Sequence, residues 1–243
     1  VINMAGGSTI SATGGTSALF DMFGGTAAIN ASGDAQNTIS SPIRFRKDNT
    51  TFTVADGAAA TDLLVSGVIS ANASSETYKG ALTKAGAGTM LLFGANTFTG
   101  DVTVNAGVIK IGNKNALGAS NTAVSKVVVA SGAAVDFNGV ADATYGYTIA
   151  GAGVGGTGAL TNSAGNIGNG SAQTSNIKLS DNASIGGSGN WALLASGWGG
   201  TTLDMGGYTL TKTGTNTINL CNTTISNGGT IQVSQGTLGT VQY

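Results

Sequence analysis

Throughout the chain, apolar and polar residues alternate over short stretches, and each stretch ends in a corner rich in Gly, Asn or Asp. Val102-Thr103-Val104 runs into Asn105-Ala106-Gly107, and Ile109-Lys110-Ile111 follows. Val127 and Val129 lead to Ser131-Gly132, with Val135 and Phe137 beyond. Ile177 and Leu179 precede a corner at Asp181-Asn182, and Ile185 precedes another at Gly186-Gly187. Leu203 and Met205 enter Gly206-Gly207 before Tyr208 and Leu210, and Ile231 and Val233 follow Gly228-Gly229. A period of two with one apolar parity specifies a strand with a single buried face. No segment keeps a 3.6-residue apolar period, so the chain reads as all-β.

Short strands with short corners suit hairpin sandwiches and β-solenoids alike. Asn138-Gly139, Asp56-Gly57 and Asn227-Gly228 are dipeptides that hairpin turns favour. Internal repetition decides between the two designs. Leu82-Thr83-Lys84-Ala85-Gly86 aligns with Leu210-Thr211-Lys212-Thr213-Gly214, and Thr89-Met90-Leu91-Leu92 with Thr217-Ile218-Asn219-Leu220. After an excursion that is shorter in the second copy, Thr103-Val104-Asn105-Ala106-Gly107 faces Thr224-Ile225-Ser226-Asn227-Gly228, and Ile109-Lys110-Ile111 faces Ile231-Gln232-Val233. Positions apolar in both copies should point inward: Leu82/Leu210, Met90/Ile218, Leu92/Leu220, Val104/Ile225, Ile109/Ile231 and Ile111/Val233. Leu91, polar Asn219 in the other copy, should point outward with Phe93. The extra residues 94–101, centred on Phe98, are expected to cover that apolar pair.

A stack of coils accounts for the composition. Gly supplies 41 of 243 residues, Pro one, and charged residues only 9%. Corners need residues that tolerate positive φ, whereas Pro would remove a donor from strands paired on both sides. Disorder calls for high charge and scarce apolar residues, and here charge is low and 41% of residues are hydrophobic. Aromatics at 6% suit a narrow core. At roughly 20 to 30 residues per coil, with coils about 4.8 Å apart, the chain is expected to make on the order of ten coils in a rod about 50 Å long.

The composition also excludes functions. Ten basic and eleven acidic residues leave a net charge of −1, and the only basic cluster is Arg44-Phe45-Arg46-Lys47. No nucleic-acid partner is expected, because a phosphate-tracking face needs clustered cations. With no His, a Ser–His–Asp triad cannot form. A lone cysteine, Cys221, cannot form an intramolecular disulfide. The start, VINMAGGSTI, lacks a basic region and a long apolar stretch, and no run approaches the roughly 20 apolar residues of a membrane span. The sequence therefore reads as cytoplasmic or as a piece of a longer precursor.

The stretch GALTKAGAGTMLLFGANTFTGDVTVNAGVIKIGNKNALG, residues 80–118, resembles the passenger-associated repeat of bacterial autotransporters. Leu82, Lys84, Gly86, Gly88, Thr89, Leu92, Gly94, Asn96, Phe98, Gly100, Gly107 and Gly112 fall in place, with Met90 for the usual Leu and Phe98 for the usual Tyr. Residues 51–72 look like the lead-in of long repetitive members, and residues 208–238 are a weaker copy that lacks the G-x-N-x-Y-x-G loop. The resemblance implies a right-handed parallel β-helix, a β-solenoid, exported by type V secretion to the bacterial cell surface. The family's signal peptide and outer-membrane barrel are not in this sequence, so contact with the outer membrane would run through a segment not present here. On this reading residues 1–243 form a single β-helix segment.

Chemical motifs yield no site. Ser175-Asn176-Ile177-Lys178 has the spacing of a Ser–Lys pair, but on a strand positions three apart face opposite sides. The acids are scattered beside small or polar residues: Asp21, Asp34, Asp48, Asp56, Asp62, Asp101, Asp136, Asp142, Asp181, Asp204 and the sole Glu, Glu76. Gly186-Gly187-Ser188-Gly189 begins like a calcium nonapeptide but has Trp191 where Asp is required. Thr209, Thr211, Thr213, Thr215 and Thr217 alternate along the chain and read as outward strand residues rather than an ice-binding lattice. Trp191, Trp198, Tyr145 and Tyr147 read as packing residues rather than sugar platforms.

The expected protein is a non-catalytic structural or adhesive rod, extracellular or on the cell surface, with no catalytic, cofactor-binding or metal-binding residues and no cofactor. Its expected partners are further copies joined end to end through unpaired strand edges, and a cell-surface or glycan ligand. A self-assembling filament or surface-layer subunit is one alternative. A polysaccharide-degrading β-helix enzyme, which would need acids converging on one face, is the other.

Overall fold

The computed structural model describes residues 1–13, 18–22, 27–46, 49–71, 79–168, 174–195 and 199–242. Among the described residues every strand pairing given a register is parallel, so the hairpin alternative is set aside: the chain is an all-β parallel β-helix. Among the described residues the one helical segment is a single 3-10 turn, Val154–Gly156. The backbone divides into two compact units, residues 1–119 and 120–243.

In the first unit, Ile2–Ala5, Ala27–Ser32, Asn49–Val54, Ala81–Ala85 and Val102–Val104 stack in that order as one wall. Thr9–Ile10, Asn37–Ile39, Leu63–Val65, Thr89–Leu92 and Gly107–Ile111 form a second. Phe20–Met22, Ile43–Phe45 and Ile69–Ala71 begin a third. Register follows apolar parity: Leu82 lies between Thr50 and Val102, and Met90 between Leu63 and Ile109. Phe52, Val54, Leu63, Val65 and Ile69, in the lead-in, are fully buried. The Phe45 ring sits 6.3 Å from Phe52 and 5.8 Å from Phe98, which fills the third side of the coil with aromatic bulk.

The second unit, by itself, also has three walls. Val127–Val129, Gly146–Gly151, the first part of Asn176–Gly187, Thr201–Asp204 and Thr223–Ser226 form one. Ala133–Asp136, Leu160–Asn162, the last part of Asn176–Gly187, Thr209–Lys212 and Thr230–Val233 form another. Trp191–Leu193, Thr217–Cys221 and Thr237–Val241 form the third. The corner expected at Asp181-Asn182 is instead a register shift inside one continuous strand, opposite Ile149 and Gly151. There the neighbouring backbone keeps pairing on both sides of the irregularity, so the chain bulges without leaving the sheet.

At the corners, Asn side chains carry pairing from one coil to the next. The Asn37 Oδ1 accepts the Ser8 N–H at 3.0 Å, Asn162 Oδ1 the Gly139 N–H at 2.7 Å, and Asn190 Oδ1 the Thr217 N–H at 2.8 Å. Each bond satisfies a backbone donor that the turn withdraws from the ladder.

Two expectations need correction. Phe98 does not cover Leu91 and Phe93: it is fully buried, and Phe93 is 55% exposed. Burial alternates strictly from Leu92 to Gly100, so the excursion continues the coil as an inward-facing third side and parity puts Phe93 outside. Ile225, Ile231 and Val233 are not buried, at 49%, 36% and 50% exposure, although their partners Val104, Ile109 and Ile111 are. They hold the inward parity, but Thr223–Ser226 and Thr230–Val233 have a paired strand on one side only among the described residues. The remaining paired positions, from Leu82/Leu210 to Leu92/Leu220, are buried in both copies.

Candidate functional site

Two buried charged groups, Lys84 of the repeat and Asp62 of the coil before it, lie at the repeat's first corner. Leu82 points inward, so Lys84, two residues on, must point inward too. Its side chain is fully buried, and it runs along the core to the bend, where Nζ donates to the carbonyls of Ala85 at 3.0 Å, Gly86 at 2.6 Å and Ala106 at 3.0 Å. Ala85 and Gly86 belong to its own corner and Ala106 to the corner of the next coil. One ammonium thus satisfies three turned-in carbonyls, the number of donors it has. Burial pulls its pKa down to about 8 while Asp62 holds it up, which leaves the ammonium charged at neutral pH.

Asp62 completes the corner from the preceding coil. It is 2% exposed; its carboxylate accepts the Gly57 N–H at 2.9 Å and the Thr89 N–H at 2.7 Å. A side chain at residue 88 would meet that carboxylate at 2.7 Å and the Ala55 carbonyl, so Gly88 makes room for it. Gly86 has φ +77 and backs onto the Val54 carbonyl, so no other residue suits its place.

Asn96 does comparable work on the third side. Oδ1 accepts the Ile69 N–H at 2.7 Å and Nδ2 donates to the Ala116 carbonyl at 2.6 Å, which ties the preceding and following coils through one buried amide. The second copy keeps the corner; Thr223–Ser226 takes the third side of its coil, and Thr230–Val233 stacks on Thr209–Lys212. Lys212 Nζ donates to Thr213 O at 2.6 Å, Gly214 O at 2.8 Å and Gln235 O at 3.2 Å. Asn190 stands where Asp62 does, and Asn216 where Gly88 does. The sequence flagged Lys84 only as a matching residue. Its inward parity was the signal that it is a buried cross-coil donor.

The other buried acids in the second unit also turn onto nearby backbone and hydroxyl groups. Asp136 accepts the Asn138 and Ser163 N–H groups, each at 2.9 Å, and the Ser163 hydroxyl. Asp142, 4% exposed, accepts the Thr144 N–H at 2.8 Å and the Tyr147 hydroxyl at 2.7 Å. Burial raises its pKa to about 6 despite these bonds. Asp21 lies between Arg44 at 2.6 Å and Arg46 at 2.7 Å, and those two cations hold its carboxyl far below the usual range. The basic cluster is thereby partly neutralised, and Lys47 lies outside the described residues. So do Asp48 and Glu76.

Candidates weighed on the sequence are kept apart. Ser175 is buried with its hydroxyl on the Tyr145 carbonyl, whereas Lys178 faces out. Trp191, Tyr145 and Tyr147 are buried, and the Phe137 ring packs 4.9 Å from Trp191 and 6.2 Å from Tyr147. Trp198 lies outside the described residues. Thr209, Thr211, Thr213 and Thr217 are half-buried outward positions and Thr215 is exposed. Among the described residues no three His, Cys, Asp or Glu side chains come together as a metal site would require. No helix among them is long and apolar enough to cross a membrane.

Residues 82–111 match the family model of the passenger-associated-transport-repeat. The match spans Gly86, Gly88, Lys84, Asn96 and Phe98, whereas Asp62 and Lys212 lie outside it. Comparison with curated proteins and with solved structures gives no match.

Proposed function

We propose that this chain, which carries an autotransporter passenger repeat at residues 82–111, is a non-catalytic β-helix displayed on or released from a bacterial cell surface, acting as a structural and adhesive rod. The observation that carries this reading is the repeated corner. Lys84 and Lys212 spend their ammonium groups on backbone carbonyls, and Asp62, Asp136 and Asp142 turn onto backbone and hydroxyl groups. These buried lysines and acids are committed to backbone and hydroxyl groups at the corners. What remains for a partner is an outward surface of Thr, Asn and Ser, suited to hydrogen bonding with glycans or a cell surface.

End-to-end association is part of the same reading. Ile225, Ile231 and Val233 are exposed, and residues 223–242 contain no charged side chain. An apolar, uncharged strand edge of this kind pairs readily with a further coil, whether of the same precursor or of another copy. The test is display of the full precursor on a Gram-negative host, assayed for cell and glycan adhesion and for release of reducing ends from polysaccharides. Adhesion or fibre formation without sugar release is expected. Sugar release that is lost on substituting a described Asp would replace this reading with the enzyme.

A further inference from the structure

Phe93 is 55% exposed in the interior of the stack. The strand before it, Thr89–Leu92, pairs with Leu63–Val65 of one coil and Gly107–Ile111 of the next. Its exposure is therefore a property of the face and not of a missing neighbour. Leu64, Leu91 and Lys110 stand in one outward column of that face. One column over, the pairing continues through Phe93 N–H on the Val65 carbonyl and Gly112 N–H on the Leu92 carbonyl. That register sets exposed Ser66 before Phe93 and Gly112 after it. A Cβ at residue 112 would meet Phe93 Cδ2 at 2.5 Å and Leu91 Cδ1 at 3.3 Å, so the bare Gly112 backbone gives both side chains their place.

The face is also one-signed. Lys110 lies two residues before Gly112 and exposed Lys114 two residues after it. Residues 63–70, 89–97 and 107–114, which carry this face in three successive coils, contain those two lysines and no acid. The second copy builds the same kind of corner with Asn219 in place of Leu91 and Cys221 in place of Phe93, so the corner does not require the exposed pair. An exposed apolar patch with a polar rim marks an interaction site. Its positive rim selects an anionic occupant. A sugar ring offers C–H groups on its face and hydroxyls at its edge, which suits an aromatic ring beside a serine hydroxyl. Two leucines and one ring, interrupted by Ser66, are too small an apolar face to enter a bilayer.

We propose that Phe93, on a shelf of Leu64 and Leu91 and flanked by Ser66, Lys110 and Lys114, is a binding site for a carboxylated glycan chain. A sugar ring stacks on Phe93, and its carboxylates meet the lysines. The assignment rests on the adhesive reading above and names the substrate class for it.

The test is calorimetric titration of the purified chain with a uronic-acid oligosaccharide, its carboxyl-reduced neutral counterpart, and vesicles of anionic phospholipid. Binding to the charged saccharide alone, weakening as salt rises, is expected. Phe93→Ala should lower the affinity by about tenfold while its melting curve stays with the parent's. Gly112→Ala, which displaces the ring, should weaken binding as well. Lys110→Gln combined with Lys114→Gln should flatten the salt dependence. Parental affinity in Phe93→Ala, equal binding of the neutral saccharide, or binding to vesicles alone overturns the site. Glycan binding that ignores Phe93 overturns this inference and leaves the adhesive rod standing. No glycan binding by the chain, nor by cells displaying its precursor, removes both.

Discussion

Lys84 and Lys212 close equivalent corners in coils far apart in the chain, each donating to two carbonyls of its own bend and one of the next coil's bend. The register is the same because both follow a buried leucine by two residues, Leu82 and Leu210. A buried carbonyl left without its donor costs about 1–3 kcal/mol. Lys84→Met keeps the apolar stem and abandons three carbonyls, so it should destabilise the chain by about 3 kcal/mol after relaxation. Thermal denaturation should show a melting temperature lower by about 6–12 °C for a chain of this size. Lys84→Arg should not restore it, because a planar fork cannot point three donors around a bend built for an ammonium. A Lys84→Met protein that melts with the parent would remove the clamp from the account.

Asp142 gives the chain an unusual pH profile. Its pKa in the folded state is about 6, against an ordinary 3.8, chiefly through burial. Between those values the folded chain keeps a proton that the unfolded chain releases, so stability falls as pH rises through that window and is flat above it. Acidification from pH 7 to pH 4 should therefore stabilise the fold, by at most about 3 kcal/mol. Asp21 does not oppose this in the same window. Its pKa is depressed by Arg46 and Arg44, so its contribution is present above the ordinary value of 3.8 and is lost only under stronger acid. Urea unfolding at pH 4, 5, 6 and 7 reads the slope directly. Asp142→Asn should flatten it and be at least as stable as the parent at pH 7, and a parent that loses stability from pH 7 to pH 5 contradicts the assignment.

Two glycines of the repeat should answer very differently to the same methyl group. At Gly86 an added Cβ faces φ +77 and the Val54 backbone, neither of which can yield. At Gly112 it meets the edge of the Phe93 ring, an exposed side chain that can swing away. Gly86→Ala should cost about 2 kcal/mol or more through strain and displaced backbone. Gly112→Ala should stay within about 0.5–1 kcal/mol, the size of a surface substitution or a small rotamer shift. Equal losses in denaturant titrations of the two variants would mean that the corner backbone is not held as tightly as Lys84 and Val54 indicate.

Alternation and the internal repeat made the fold legible, because period-two burial and coil stacking share one parity: Leu82, Met90, Leu92, Ile109 and Ile111 are all buried as read. The same parity, carried through residues 92–100, places Phe98 inside. The expectation of a covering loop came from treating those residues as an insertion rather than as the coil's third side. Ile225, Ile231 and Val233 escaped because parity reports which way a side chain points but not whether another layer lies beyond it. The polar core was the least legible part. That Lys84 meets Ala106, or Asp62 meets Thr89, depends on which coils become neighbours, and a single sequence reveals that only once the register is drawn.

A structural passenger that works outside the cell, as proposed, is accessible to label on intact cells. Bacteria expressing the native precursor with an epitope at an exposed position such as Asp56 would be treated with antibody and with protease before and after lysis. Labelling and protease sensitivity on intact cells are the predicted result, with a resistant β-helical fragment remaining after digestion. Signal that appears only after lysis would contradict it.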